Sequence, residues 1–585
     1  MSYVEHWQRA CDRRVAQAIG ELCFEGLVHA RSLGAGAYAI DLAEGVQWRV
    51  RARPSAWGGL HVEPGTAERR VGEGPLERID SPAQLVLDAR RELGATPKVL
   101  AEWLEEIHAS VLAEAEQCSR LSTWTAERLA DLDALELEQR LDGHPKLIAH
   151  RGRIGWGLDD LACHAPEFGG RVRLHWLVVA PEHARCSGLA DDRDRRLLDE
   201  SCDPCERARL LDTLHARAPG LAETGVLVPV HPWQWQRHVA AQYGRLIGRG
   251  AMVSLGRFGD RHAPRLSIRT LANLDRPERA DLKLALSILV TSCWRGLPGE
   301  HVEQGVGIGA ALRGRVEADP LLREAGVRVL VDRGGVHVPQ PEFERLEGSP
   351  YRLREIVGAI WRESARSRLR PGELEVPAAA LHQTDLAGVP LLRTWVDRSG
   401  VSIERWLQAL FEHSAVPLWH LQVGHGLGVI AHGQNLGLIL REGLPVGMLL
   451  RDVHGDVRRD REREFEGALA GLRALPPEQL VHDLYTGYFV SVLRFVAPLV
   501  ERGFGLPERE LLRILVGALQ RHSERVRDPE AYARFDLLRP QMVRICLNRA
   551  RLRAGHGEGE SRSLPELGPP LRNPLAHLED LHEDE

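Results

Sequence analysis

The order of hydrophobic and polar positions predicts an α+β protein in which helices dominate and mixed sheets are interspersed. Apolar residues recur with helical spacing over residues 82–93 and 99–121, which predicts that the first 140 residues are mainly helical. Gly and Pro break up residues 51–74, which leaves room only for short strands. Residues 172–179 and 225–230 have the pattern of strands.

A Gly/Pro-containing turn separates two apolar runs, at residues 436–440 and 446–450, which predicts a hairpin. The residue before the first strand and the residue after the second then lie at the same end, so Asn435 and Asp452 should meet. Amide and carboxylate oxygens suit Mg²⁺. His432 would contact phosphate or substrate. The alternative is a capped turn beside a surface ion pair.

Ser267-Ile-Arg-Thr270 is predicted to end a strand, and the apolar run at residues 281–295 then reads as a helix that carries a regular polar stripe. Lys283, Ser287, Thr291 and Arg295 stand four apart and would share one side of the helix. A solvent-exposed face normally mixes both charge signs, whereas this stripe has two cations and two hydroxyls. It therefore indicates an anion pocket. The alternative is an ordinary helix whose Lys and Arg side chains extend to water.

Length and composition exclude several classes of function. A chain of 585 residues predicts two or three domains. The net charge of -6 gives no general attraction to nucleic acid or to an anionic membrane. The chain has neither a basic start followed by an apolar run nor about 18 successive apolar residues, which predicts a cytoplasmic protein without a membrane partner. Cys202 and Cys205 favour a surface turn over a zinc site.

Six short motifs follow one another between about residues 140 and 550. They are Gly143-His-Pro145, His231-Pro-Trp-Gln234, Ser267-Ile-Arg-Thr270, the stretch from Lys283 to Arg295, His432-Gly-Gln-Asn435 and Arg451-Asp452. Any one of them could occur by chance. In this order and spacing they resemble the motif series of the siderophore synthetases that work without a nonribosomal peptide assembly line, the IucA/IucC family.

The resemblance implies a hand-like fold with thumb, fingers and palm, in which ATP lies between fingers and palm. The implied segments are a thumb-like domain at 1–140, fingers at 141–370 and an FhuF-like palm at 378–555. Low apolar periodicity separately predicts a linker at 369–377, and a composition rich in Gly, Pro, Glu and Asp predicts a flexible acidic tail at 556–585.

The resemblance also implies an ATP- and Mg²⁺-dependent ligase. A carboxylic acid, typically citrate, would attack ATP to form an acyl adenylate and pyrophosphate. An amine, hydroxylamine or alcohol would then displace AMP. A homodimer is compatible with this interpretation. Two alternatives stay open: a degenerate homologue that binds nucleotide or polycarboxylate without catalysis, and a phosphotransferase suggested by the hairpin alone.

Site roles are carried over from the family at matching positions. Catalysis is assigned to Lys283, Arg295 and His432. ATP contacts are assigned to Ser267, Arg269, Thr270, Lys283, Arg295, Gln434, Asn435 and Asp452. Contacts to the carboxylic acid are assigned to His144, Arg153, Thr291, Arg295 and His432, and Mg²⁺ is assigned to Asn435 and Asp452.

The sequence departs from the family pattern at three positions. Leu147 stands where a second histidine is usual, and Arg151 replaces a lysine, which keeps the charge but changes its shape. Ile430 stands where a glutamate is common, so the accepted acid or the activity is expected to differ. The motif that begins at His231 is interpreted as structural, with Trp233 and Trp235 packed.

Overall fold

The computed structural model describes residues 2–188, 193–291, 293–557, 559–562 and 565–580 and confirms the α+β class. Both helical patterns in the N-terminal part are helical, over Pro82–Asp88, Arg90–Leu93 and Pro97–Arg120. The other α-helices of seven residues or more are Tyr3–Phe24, Leu158–His164, Arg193–Ser201, Pro204–Arg217, Gly299–Ala318, Leu391–Ser399, Ile403–Glu412, Ala415–His425, Arg494–Phe504, Glu508–Val526 and Leu547–Ala554.

The large sheet has eight strands in the described residues, and every neighbouring pair is antiparallel. Its two strands predicted from the sequence are present as Val172–Val179 and Val226–Val230. In spatial order the strands are Arg185–Gly188, Asp332–His337, Gly358–Arg362, Asp281–Leu284, Thr270–Asn273, Met252–Pro264, Val172–Val179 and Val226–Val230. Most of their side chains are buried, so both faces are covered.

The small sheet contains the predicted hairpin, formed by Leu436–Arg441 and Leu444–Leu450. Val327–Val329 pairs with the second hairpin strand in parallel, and Glu373–Pro377 pairs with the first one antiparallel. The chain therefore enters this sheet at Val327, leaves it for two strands of the large sheet, returns at Glu373 and comes back again for the hairpin.

Further sheets lie outside the large and the small sheet. An N-terminal sheet covers much of the first domain, although that part was expected to be mainly helical. Its strands are Ala30–Gly34, Ala37–Asp41, Val46–Pro54, Leu60–Val62, Glu68–Val71 and Glu77–Arg78. Three short strands, Leu427–Val429, Val457–Asp460 and Ala474–Leu475, pair beside the hairpin, and Gln541–Cys546 pairs with Glu566–Arg572.

The predicted helix over residues 281–295 is wrong, because this stretch forms three strands. They are Asp281–Leu284 in the large sheet and the hairpin Leu286–Val290 and Cys293–Arg295. Side chains four residues apart share one side of a helix, but they also share one side of a strand, whose period is two. The polar stripe therefore could not distinguish the two, and the β-branched residues around it favour a strand.

Three further expectations need correction. The motif Ser267–Thr270 does not end a strand, since Thr270 begins one and the residues before it form a turn. The expected linker at 369–377 includes the strand Glu373–Pro377 of the small sheet. The tail after residue 555 contributes the strand Glu566–Arg572, so its described part is folded onto the protein.

Candidate active site

A deep cleft lies between the large sheet and the end of the hairpin that carries Asn435 and Asp452. It brings together most of the residues selected from the sequence, although they come from segments 300 residues apart. Its lining includes Gly143, His144, Arg151, Arg153, Ser267, Arg269, Lys283, Thr291, Arg295, His432, Gln434, Asn435, Asp452 and Asp456.

Three oxygen-bearing side chains, Asn435, Asp452 and Asp456, form what we call the oxygen wall. The hairpin places Asn435 and Asp452 at the same end as predicted, because the Arg451 N–H donates to the Asn435 carbonyl at 3.2 Å. Asn435 Nδ2 donates to Asp456, which ends the helical turn Val453–Asp456. Burial raises the pKa of Asp456, and the Asp452 charge adds to that shift while His432 opposes it. A divalent cation would offset both the burial of the Asp456 carboxylate and its repulsion by the Asp452 charge.

Arg269, Lys283 and Arg295 form what we call the cationic wall. Arg269 Nη1 donates to the carbonyl of Arg295 at 3.2 Å and to that of Gly296. Arg295 Nη2 donates to the carbonyl of Val290 at 2.9 Å and to the Thr291 hydroxyl. Burial lowers the pKa of Arg269 to about 10, and the Arg295 charge adds to that shift. Because no carboxylate neutralises Arg295 among the described contacts, the wall suits an anion.

One ion-pair chain joins the two walls. Lys283 Nζ donates to Asp452 Oδ1, and Arg362 Nη2 donates to the same oxygen at 3.1 Å. Burial would raise the pKa of Asp452, but the Lys283 and Arg362 charges hold it well below its ordinary value. Burial lowers the pKa of Lys283 to about 8, although Asp452 opposes that shift. Asp452 is therefore ionised, whereas Lys283 titrates close to neutral pH.

A buried carboxylate fixes the backbone on both sides of the cleft. Glu138 accepts from Arg265 and from Arg451, each at 3.1 Å, and from the Leu266 N–H at 3.0 Å. Arg451 also pairs with Glu375. The arginine beside Asp452 is therefore a buried link between the hairpin and the turn before Ser267, and the surface ion pair considered above is excluded.

The loop that follows Gly143 lies at the edge of the cleft, but two of its cations already have partners. Arg153 makes a buried pair with Glu167, with an Nη2–Oε2 distance of 2.8 Å. Arg151 donates to Gln117 at 2.6 Å and to the Leu141 carbonyl at 2.8 Å. His144 is neutral at pH 7, because burial lowers its pKa to about 3. The loop therefore adds shape and hydrogen bonding more than free charge.

Several positions singled out in the sequence lie outside the cleft lining, among them Ser287, Thr270 and Ile430. Ser287 faces away from it, since its N–H and hydroxyl contact the Gln234 side chain, each at 2.8 Å. Gln234 thus holds the strand Leu286–Val290, which supports a structural interpretation of its motif. Thr270 is buried on the neighbouring strand opposite Lys283. Ile430 donates its N–H to the Asp456 carbonyl at 2.9 Å, so it supports the oxygen wall through its backbone.

Sequence reasoning missed several residues of the lining, among them Asp456, His301 and Arg562. Asp456 lies four positions after Asp452, a spacing that one helical turn brings to the same side. His301 packs against His454, with ring centroids 4.2 Å apart and ring planes tilted by 48°. Arg562 reaches the cleft from the tail and pairs with Glu355 at 3.0 Å. Neither His301 nor Arg562 carries a local sequence signal, because each reaches the site only through the fold.

Backbone strain is concentrated at the cleft. Eight non-glycine residues among those described have a positive φ, and four of them line the cleft: Arg153 at 45°, Ile268 at 66°, Thr291 at 62° and Asp452 at 61°. The left-handed region is costly for a β-branched residue such as Thr291. Such conformations persist where the surrounding structure holds a side chain in place, which is typical of binding sites.

Opposed cationic and oxygen walls on an α+β scaffold form a site of the class that suits a polyanion together with a divalent cation. The IucA / IucC family model matches residues 133–383, and the model described as Ferric iron reductase FhuF-like transporter matches residues 404–560. The chain is 36% identical to the aerobactin synthase of Escherichia coli over 97% of this chain and 98% of that protein. The chain therefore belongs to the IucA/IucC family.

Two further comparisons extend over the whole chain. The rhizobactin siderophore biosynthesis protein RhbF of Rhizobium meliloti is 32% identical over 98% of this chain and 96% of its own length. The structure of aerobactin synthetase IucC from Klebsiella pneumoniae matches with a TM-score of 0.86 and 32% identity, covering 99% of this chain and 100% of that one. Among the described residues no helix is long and apolar enough to cross a membrane.

Proposed function

We propose that this protein is a siderophore synthetase that uses ATP and Mg²⁺ to join a polycarboxylic acid to an amine, hydroxylamine or alcohol. The observation that carries the proposal is the opposition of the cationic wall and the oxygen wall across one cleft. Relatives named as an aerobactin synthase and a rhizobactin siderophore biosynthesis protein support the product class. A reaction that consumes ATP fits the cytoplasm.

The proposed reaction has two halves. A carboxylate oxygen attacks the α-phosphorus of ATP, the bond to the β-phosphate oxygen breaks, and pyrophosphate leaves. The nitrogen or oxygen of the second substrate then attacks the acyl carbon, loses its proton and expels AMP. Fixed cations lower the barrier of the first half by stabilising the negative charge that develops on pyrophosphate.

Residue roles follow from the position of each side chain. The oxygen wall would hold Mg²⁺, because its hard carboxylate and amide oxygens match the ligands this ion prefers. Lys283, Arg269 and Ser267 would contact the phosphates. Arg295 carries the guanidinium best placed to grip a carboxylate of the acid.

The acid would lie against the loop side of the cleft. Thr291, His432 and His144 would donate hydrogen bonds to it, and Arg153 would orient it while paired with Glu167. Gln434 would contact the nucleotide beside Asn435. Thr270, buried behind Lys283, would support the phosphate contacts without touching ATP.

The test is pyrophosphate release by purified protein with Mg²⁺, ATP and hydroxylamine as the trapping nucleophile. The acids are citrate, 2-oxoglutarate, succinate and citryl monoamides. We expect release with at least one acid, equimolar AMP and a hydroxamate product. The Asp452→Asn variant is the matched control, since it keeps the shape of the side chain but removes its charge.

The nucleotide product decides between reaction classes. ADP in place of AMP would contradict adenylation and favour phosphotransfer. ATP binding without turnover across the whole panel of acids would contradict the enzyme proposal and favour a binding protein.

A further inference from the structure

A second polar cluster lies where the end of helix Gly299–Ala318 meets helix Ala415–His425. Asp319 Oδ2 is 3.1 Å from His420 Nε2 and 2.9 Å from His425 Nε2. The three ligand atoms all lie within 4.8 Å of one another. None of the three residues belongs to the cleft lining described above.

The Asp319 carboxylate is held in one orientation by its own backbone. Asp319 caps the helix Pro320–Glu324, and its Oδ1 accepts from the N–H groups of Leu321 at 2.8 Å and Leu322 at 3.1 Å. Two hydrogen bonds to Oδ1 leave Oδ2 directed at the histidines.

The two histidines offer the nitrogen that a metal needs. If the two contacts are hydrogen bonds to Asp319 Oδ2, each histidine carries its proton on Nε2. If each histidine carries its proton on Nδ1 instead, both Nε2 atoms have a free lone pair, and together with Oδ2 they offer two nitrogen ligands and one oxygen ligand to a metal. His420 Nδ1 lies 3.1 Å from His522 Nε2, so His522 Nε2 can accept a hydrogen bond from the Nδ1–H of His420. A hydrogen bond to the second ring nitrogen is the usual support of a metal-bound histidine.

An ion can reach this cluster from solvent. The side chains of Asp319 and His425 are 16% and 17% exposed, whereas that of His420 is 6% exposed. His420 and His522 also line a surface cavity beside Glu324. The cluster is therefore enclosed enough to fix its ligands and open enough to exchange an ion.

We propose that Asp319, His420 and His425 bind a divalent first-row transition-metal ion, with Zn²⁺ the best fit. Zn²⁺ takes histidine nitrogen and carboxylate oxygen at about 2.0–2.2 Å, which places tetrahedral ligand atoms about 3.3–3.6 Å apart. The oxygen–nitrogen separations, observed at 2.9 and 3.1 Å, would have to expand by a few tenths of an ångström to reach that geometry. Two imidazoles and one carboxylate favour such an ion over the harder Mg²⁺, and water completes the shell.

The bound ion would fix the position of the segment from His425 to His432, which leads to the cleft. His425 ends its helix, the strand Leu427–Val429 follows at once, and His432 comes three residues later. Asp319 belongs to the chain segment that enters the small sheet at Val327. The ion thus ties both segments together behind the oxygen wall, without contact to substrate.

The test uses full-length protein stripped with a chelator, then titrated with Zn²⁺ against a chromophoric competitor in millimolar Mg²⁺. We expect one Zn²⁺ per chain and a higher melting temperature. Asp319→Asn keeps the helix cap and His425→Gln keeps much of the side-chain volume, and each should weaken Zn²⁺ binding at least about 100-fold. His522→Gln should weaken it about 10-fold, as loss of support for a ligand does.

The matched control is His413→Gln, which removes a nearby histidine that contacts the Ala325 carbonyl at 2.9 Å but is not a ligand. It should bind Zn²⁺ as the wild type does. The proposal is overturned if the wild type takes up no Zn²⁺, or if stoichiometric uptake survives in both Asp319→Asn and His425→Gln. Circular dichroism of the variants separates loss of the site from loss of the fold.

Discussion

The two walls of the cleft face the same space but are built in opposite ways. The oxygen wall comes from a single stretch of about twenty residues at the open end of a hairpin, where Asp452 is 25% exposed. The cationic wall comes from three strand ends and turns around the large sheet, and Lys283 is 5% exposed. The comparison teaches that the oxygen wall, which is local in sequence, can exchange an ion with solvent. The cationic wall, which is assembled from distant segments, holds its charges in fixed positions.

Loss of the single residue that links the walls should have the largest effect. Asp452→Asn removes a carboxylate of the oxygen wall and leaves Lys283 and Arg362 without a shared partner. We expect turnover, measured as pyrophosphate release, to fall by about 1000-fold, the upper range for loss of one preorganised electrostatic contact. Turnover within a few fold of wild type would show that the two walls work independently.

Asp456 tests whether the oxygen wall has two carboxylates or one. Asp456→Asn keeps the size and shape of the side chain that contacts Asn435, but it halves the negative charge of the oxygen wall. We expect the Mg²⁺ concentration needed for half-maximal turnover to rise by about 10- to 100-fold, as when a metal site loses part of its support. Glu462→Gln, an exposed change beyond the cleft, is the control. An unchanged Mg²⁺ requirement would restrict metal binding to Asn435 and Asp452.

The charge of the cationic wall should make kcat/KM for ATP depend on pH. Lys283 is charged below its pKa of about 8 and neutral above it, because burial favours the neutral form. We therefore expect kcat/KM for ATP to fall about tenfold per pH unit above that value, since this ratio reports ionisation of the free enzyme. Lys283→Arg should remove this decline, because arginine stays charged. The same decline in both proteins would assign it to another group.

The smallest effect is expected behind the cationic wall. Ser287→Ala removes the hydroxyl that Gln234 contacts at 2.8 Å, on the side of the strand that faces away from the cleft. We expect a loss of about 1 kcal/mol in the free energy of unfolding, typical of one buried hydrogen bond. The KM for ATP should change little. A large rise in KM would mean that Ser287 contacts the nucleotide.

The sequence predicted the oxygen wall better than the cationic wall, for a physical reason. A hairpin is a local structure, so an apolar–turn–apolar pattern is sufficient to bring Asn435 to Asp452. The secondary structure around Lys283 depends on pairing with strands far along the chain, which local periodicity does not report. Lys283, Thr291 and Arg295 nevertheless line one cleft in the observed strands and turn, so the anion pocket stays a prediction for that cleft.

The rest of the site could not be predicted because its residues meet only through the tertiary fold. Arg562 comes from a tail whose composition indicates disorder, and the pairing of Arg153 with Glu167 has no local signal. The same holds for Asp319 and His420, which lie about a hundred residues apart. Short sequence spacing singles out Cys202 and Cys205 instead, but Asp203 between them caps the helix Pro204–Arg217, and Cys202 is buried before that helix.

The small sheet is built from strands of two different regions of the chain, which limits how this protein can evolve. Two of its strands, Val327–Val329 and Glu373–Pro377, come from the region that one family model matches, and the hairpin comes from the region of the other. An exchange of C-terminal halves between relatives would have to preserve the register of Val327 opposite Met448. We therefore expect the two regions to be inherited as one unit, and new substrate preferences to arise by substitution within the cleft instead of by recombination of modules.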